Sequence, residues 1–188
     1  MELLEQIDNY VLQSAEVKKL QSEIDTYKRS EFYASVEGDL SYHEGDYNLE
    51  KQYNASVRFN QQKREEAEKK LEVSAVLLQE TKGKLQKLLS GISEYDLASA
   101  SGKISSKIQA MEGQLALLRK RIKTAYINGD KAYIAGDYKK EKEYNAEYRR
   151  LYDEITSLTP ILEGYQEALS ILGVKHTVSN DDFQPGNE

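Results

Sequence analysis

The sequence predicts an all-α protein: elongated antiparallel helical hairpins that bundle as coiled coils do, built from an internal duplication. Three observations carry that reading. Only two prolines occur in 188 residues, against about 5% in average proteins, so helix is favoured over turn-rich β structure. Apolar side chains recur at spacings of three and four, which gathers them into a seam along one helix face. The segment from Gly38 recurs from Gly129, an offset of 91 residues. Gly38, Asp39, Tyr42, Gly45, Asp46, Tyr47, Glu50, Lys51, Tyr53, Asn54 and Ala55 each meet the same residue one offset later. Unrelated segments of this length share roughly one residue, so duplication is favoured over coincidence.

Each element follows from its own pattern. Leu3, Ile7, Tyr10, Val17, Leu20, Ile24 and Tyr27 predict a first helix near residues 2–37. Gly38-Asp39 and Gly45-Asp46 then read as two breaks around one short helical turn, because glycine accepts the left-handed conformation that ends helices and aspartate caps the amides that start them. Gly129-Asp130 and Gly136-Asp137 repeat the arrangement. Gly45, Asp46, Gly136 and Asp137 are thus the expected caps.

A second helix near 46–90 crosses a polar stretch from Arg58 to Lys70 and reaches a seam of Leu71, Ala75, Leu78, Leu85 and Leu89, with Lys82 at one core position. Ser90-Gly91 and the run Ala98-Ser99-Ala100-Ser101-Gly102 should turn the chain. The third helix, near 102–128, carries the cleanest seam: Ile104, Ile108, Met111, Leu115, Leu118 and Ile122. Its partner is another helix, either in this chain or in a second copy. The fourth, near 137–172, keeps its seam from Tyr144 to Leu172 across Pro160, which favours a kinked continuing helix over a fresh start capped by Thr159. The expected organisation is one hairpin over 1–91, a second over 92–172, and a flexible acidic tail over 173–188. Helices of about 40 residues would each reach roughly 60 Å.

Composition narrows function. No stretch of about 20 apolar residues exists to span a bilayer, and neither a basic nor an apolar leader opens the chain, so a cytoplasmic protein is expected, or a virion-associated one if phage-encoded. The chain has no cysteine, which excludes thiol catalysis, disulfides and cysteine-ligated zinc. No nucleophile elbow or phosphate loop is present. His43 is replaced by Ile134 at the offset position and His176 stands alone, so neither reads as a phosphotransfer histidine. Two aspartates seven residues apart make a poor calcium loop, and capping explains them better. Residues 1–50 carry 4 basic and 12 acidic side chains, whereas residues 101–150 carry 12 and 6. Such complementary ends and middle can neutralise each other within the chain or between copies, so nucleic acid is not the expected partner.

Fourteen tyrosines stand beside three phenylalanines and no tryptophan. Tyr42, Tyr47, Tyr53, Tyr133, Tyr138 and Tyr144 gather at the two junctions, where they either pack a corner or form a partner-binding aromatic patch. Ala132 through Tyr138, followed by Glu143-Tyr144, resembles the helix-turn-helix corner of tetratricopeptide repeats and of microtubule-interacting and transport hairpins. That resemblance implies a corner between packed antiparallel helices, and a peptide-binding adaptor as one alternative. It covers about 15 residues in each copy; Glu50 and Glu141 replace the small alanine of such repeats, and the period is 91 rather than 34. The expected function is a non-enzymatic structural, scaffolding or adaptor protein that works through protein partners and self-association as a homo-oligomer. No cofactor, metal, membrane or small-molecule substrate is expected. A virion component or an inhibitor of a host protein fits the same pattern.

Overall fold

The computed structural model describes residues 2–173. They form four helices: α1 (Glu2–Glu44), α2 (Tyr47–Leu89), α3 (Glu94–Ile134) and α4 (Tyr138–Ile171). Helix α1 packs on α2 and α3 on α4, while α1 also packs on α4. The all-α fold class holds. Residues 174–188, nearly all of the expected tail, lie outside the described residues.

The seams meet in one shared core at the base of the molecule. Ile7, Tyr10, Leu85, Ile104, Ile108 and Leu169 are fully buried there, with Leu3, Val11, Ala100, Ala168 and Leu172 around them. These residues come from the start of α1, the end of α2, the start of α3 and the end of α4, so every helix contributes. Each fully buried Leu or Ile adds about 1.5–3 kcal/mol of transfer free energy. A second cluster of Leu118, Ala125 and Leu151, flanked by Ile122, Tyr148, Ile155 and Leu158, belongs to α3 and α4 alone. The α3 seam therefore meets a helix of its own chain, with Ile104, Ile108, Leu115 and Leu118 buried and Met111 and Ile122 half-buried.

The two hairpins are joined by a close approach of α1 to α4. A Cβ at Gly164 would lie 3.0 Å from Val11 Cγ1 and 3.2 Å from the Val11 carbonyl oxygen. Only glycine lets the two backbones come so near. Polar groups reinforce the contact. Tyr10 donates a hydrogen bond to Glu167 Oε1, and Ser14 donates to Glu167 Oε2 at 3.4 Å. Ser14 fills the gap that the α1 stripe leaves between Tyr10 and Val17. Lys107 of α3 reaches Asp8 of α1 at 2.7 Å, and the Tyr165 hydroxyl of α4 donates to the same Asp8 oxygen at 2.8 Å, so one carboxylate ties three helices. Lys18 pairs with Glu163 at 2.6 Å.

Three expectations about element ends are corrected. Helix α1 runs through Gly38-Asp39 to Glu44 and α3 runs through Gly129-Asp130 to Ile134, so the double break and its short intervening turn do not form. Their glycines face the partner helix: Gly38 lies under Tyr53 and Gly129 under Tyr144. Each belongs to a buried stripe of small residues, Ala34-Gly38-Ser41 and Ala125-Gly129-Ala132, and the helix is retained because its neighbour packs into that stripe. The run Ala98–Gly102 is also helical, with Ala100 and Ser101 buried. The turn falls earlier, where Ser93 Oγ caps α3 by accepting from the Asp96 amide at 3.1 Å. Helix α4 continues across Pro160, as the unbroken seam predicts, and Thr159 Oγ1 donates to the Ile155 carbonyl at 2.8 Å instead of capping a new helix.

These contacts make opposite predictions for two glycines. At Gly129 a new methyl would sit 3.6 Å from Tyr144 Cβ, an ordinary contact, with its nearest neighbour the Asn145 Oδ1 side-chain atom at 3.4 Å. Gly129→Ala should therefore gain up to about 1 kcal/mol of helix propensity. Gly164→Ala meets backbone and should lose about 1–2 kcal/mol by prising α1 from α4; urea unfolding of both variants checks the opposite signs. Burial first, and then the hydrogen bond to Glu167, raise the Tyr10 phenol well above its ordinary value of 10.0. Because the folded value is the higher one, the stability this proton contributes is complete below pH 10 and is lost as pH rises through the folded value. Tyr10→Phe should cost about 1–2 kcal/mol at neutral pH and flatten the alkaline fall in melting temperature.

Candidate functional site

The ends of the hairpins away from the base form the most distinctive surface. Each tip is a tight turn built from one glycine and one aspartate. Gly45 adopts φ 80° and Gly136 φ 71°, the left-handed geometry that closes a helix C-terminus. The following amides fold back identically, Asp46 N onto the Ser41 carbonyl and Asp137 N onto the Ala132 carbonyl, both at 2.9 Å. The same aspartates then start the next helices: Asp46 Oδ1 accepts from the Leu49 amide at 3.0 Å and Asp137 Oδ1 from the Lys140 amide at 3.2 Å. Bonding to Lys140, through its side chain and its amide, holds the Asp137 carboxyl below the usual carboxylate range. Both carboxylates are thus engaged as caps.

The tyrosines divide into two layers. Tyr53 and Tyr144 are half-buried over Gly38 and Gly129 and pack the corner. Tyr42, Tyr47, Tyr133 and Tyr138 stand outward, 56–67% exposed. The outer rings pair edge to face at each tip: Tyr42 with Tyr47 at 6.0 Å and 71°, Tyr133 with Tyr138 at 6.3 Å and 70°. Every one of these features recurs at the offset of 91. Bare apolar side chains surround the rings. Leu40 and Leu49 are exposed at the first tip and Ile134, at 83%, at the second; Val36 and Ile127 occupy equivalent positions on the two. Farther down the first hairpin, Phe32 and Tyr33 are exposed as well and meet edge to face at 5.8 Å.

The sequence reading assigned none of Val36, Leu40, Leu49 and Ile134 to an exposed surface. Their signal was present: each is apolar yet falls outside its helix's seam. His43, exposed beside Tyr42 at 5.8 Å between ring centres, is part of the same surface.

Pockets are shallow by comparison. An open groove of about 280 Å³ lies between α3 and α4 just below the second tip, lined by Lys120, Arg121, Thr124, Asn128, Tyr144 and Glu147. Arg121 is already paired with Glu147 at 3.2 Å. Among the described residues no group of three His, Asp or Glu side chains is placed to hold a metal ion, and no helix is long and apolar enough to cross a membrane.

No family model, curated protein or solved structure matches the chain. The likeness to tetratricopeptide corners stays confined to the turn, since the two helices flanking the first tip have 43 residues each and either one exceeds a whole 34-residue repeat.

The two layers of the tip should separate in mutagenesis. Asp46→Ala and Asp137→Ala each remove a cap and should cost about 1 kcal/mol. Tyr42→Ala and Tyr133→Ala remove outward rings and should change stability by no more than about 0.5 kcal/mol, as followed by urea titration of helical ellipticity.

Proposed function

We propose that this chain is a non-enzymatic helical scaffold or adaptor that makes its protein contacts at the two hairpin tips. The observation that carries the reading is the pair of outward tyrosines at each tip, ringed by exposed aliphatic side chains. Large apolar and aromatic groups left exposed in the monomer gain burial when a partner covers them, and tyrosine is enriched where such contacts are made. The seam of α3 is a poorer candidate, because Ile104, Ile108, Leu115 and Leu118 are buried within the chain. Long helices hold the tips away from the base: the 27 residues from Lys18 to Gly45 correspond to about 40 Å of helix. We read the matching tip geometries as the product of an internal duplication, giving one molecule two related contact surfaces.

The test is co-purification from native cells with the tagged full chain and with a variant carrying Tyr42→Ala, Tyr47→Ala, Tyr133→Ala and Tyr138→Ala. Recovery of bound protein should fall at least tenfold while ellipticity and melting temperature stay unchanged. Undiminished recovery by the variant would contradict the assignment of the tips as the contact surface.

A further inference from the structure

The two tips share a shape but differ in charge, and that difference selects an occupant. Over residues 37–51 the first tip carries five acidic side chains and one lysine. Over the equivalent residues 128–142 the second carries three acidic side chains and four lysines. The exchanges lie on the surface itself. Glu37 and Glu44, both exposed, become Asn128 and Ala135, while Leu40 and Asn48 become the exposed Lys131 and Lys139. The first tip is thus a net −4 surface with extra bare leucines, and the second is a net +1 surface.

We propose that the first tip of one copy docks on the second tip of another copy of this chain. The proposal rests on the reading of the tips as contact surfaces and names what covers them. Like with like is disfavoured: two first tips would place Glu37, Asp39, Glu44 and Glu50 against their own kind, and repulsion of this sort suppresses wrong pairings. Unlike tips bring Lys131 and Lys139 toward that acidic rim and set the Tyr42–Tyr47 pair against the Tyr133–Tyr138 pair. Aromatic pairs add attraction beyond their burial, and the apolar centre with a charged rim has the anatomy of a protein interface. The contact is heterologous, joining different patches on the two copies, so it builds closed rings or chains of molecules.

Sedimentation velocity on the full chain, from micromolar to millimolar concentration, tests this directly. The mass should rise from 21.5 kDa to at least twice that value at low salt and fall back as salt screens the rim charges. Lys131→Glu with Lys139→Glu should hold the chain monomeric, as should Glu37→Lys with Glu44→Lys. Mixing these two charge-reversed proteins should restore association, because the unaltered first tip of one, at net −4, now meets the unaltered second tip of the other, at net +1. A monomer at every concentration overturns the proposal, as does association that survives both charge reversals, or a mixture that stays monomeric. Those results remove self-pairing alone, since the co-purification experiment reads partners of any kind and separately decides whether the tips are contact surfaces.

Discussion

The approach of α1 to α4 at Gly164 and Val11 is the contact on which the rest of the architecture depends. Without it the chain would be two separate hairpins joined by the short connection from Ser90 to Ser93. Backbones come together there because position 164 has no side chain, and the resulting interface is then fixed by specific polar partners. Glu167 receives two hydroxyls from α1, and Asp8 receives an ammonium from α3 and a hydroxyl from α4. Tyr10 and Ser14 are buried, and buried polar groups are costly when unpaired, so α1 and α4 have one register in which Glu167 meets both hydroxyls. Hydrophobic burial from all four helices supplies the bulk of the stabilisation around that register.

Small residues play a second part farther out. Along each hairpin the buried side chains become smaller toward the tip, from Leu and Ile at the base to Ala34, Gly38 and Ser41 or Ala125, Gly129 and Ala132. Small residues let the helices come close enough for a turn of two or three residues, with glycine in the left-handed region and aspartate serving at once the end of one helix and the start of the next. Close packing at the tip leaves little interior to hold large side chains. Tyr42, Tyr47, Tyr133 and Tyr138 and the aliphatic residues beside them therefore stand outside, and the exposed aromatic surface arises from the same constraint that shapes the turn.

Much of this was legible in the sequence. Seams at spacings of three and four located four helices, Gly45-Asp46 and Gly136-Asp137 marked their turns, and the continuity of the α4 seam across Pro160 indicated one helix. Gly38 and Gly129 misled because glycine next to aspartate is also a stop signal; whether it breaks a helix or admits a neighbour depends on the residues above it, Tyr53 and Tyr144, which are distant in sequence. The Ala98–Gly102 run misled for the same reason, since small residues mark turns and close packing alike. Pairing between hairpins was hidden more deeply. A seam tells which face of a helix is buried but not against what, and the residues that fix α1 on α4, among them Asp8, Ser14, Gly164 and Glu167, are polar or small and lie outside any apolar pattern. Partition of the tyrosines into packed and outward layers needed the three-dimensional position of each ring.

If the shared base governs the molecule, local stability must decline from base to tip. Native-state hydrogen exchange resolved to single amides measures this gradient directly. Amides of residues 7–14 in α1 and 164–171 in α4 should exchange only through global unfolding and share one free energy of opening. Those flanking the turns, residues 38–50 and 129–141, should open locally at a free energy several kcal/mol lower. Tips as protected as the base, or a base that opens before the hairpins do, would contradict the account.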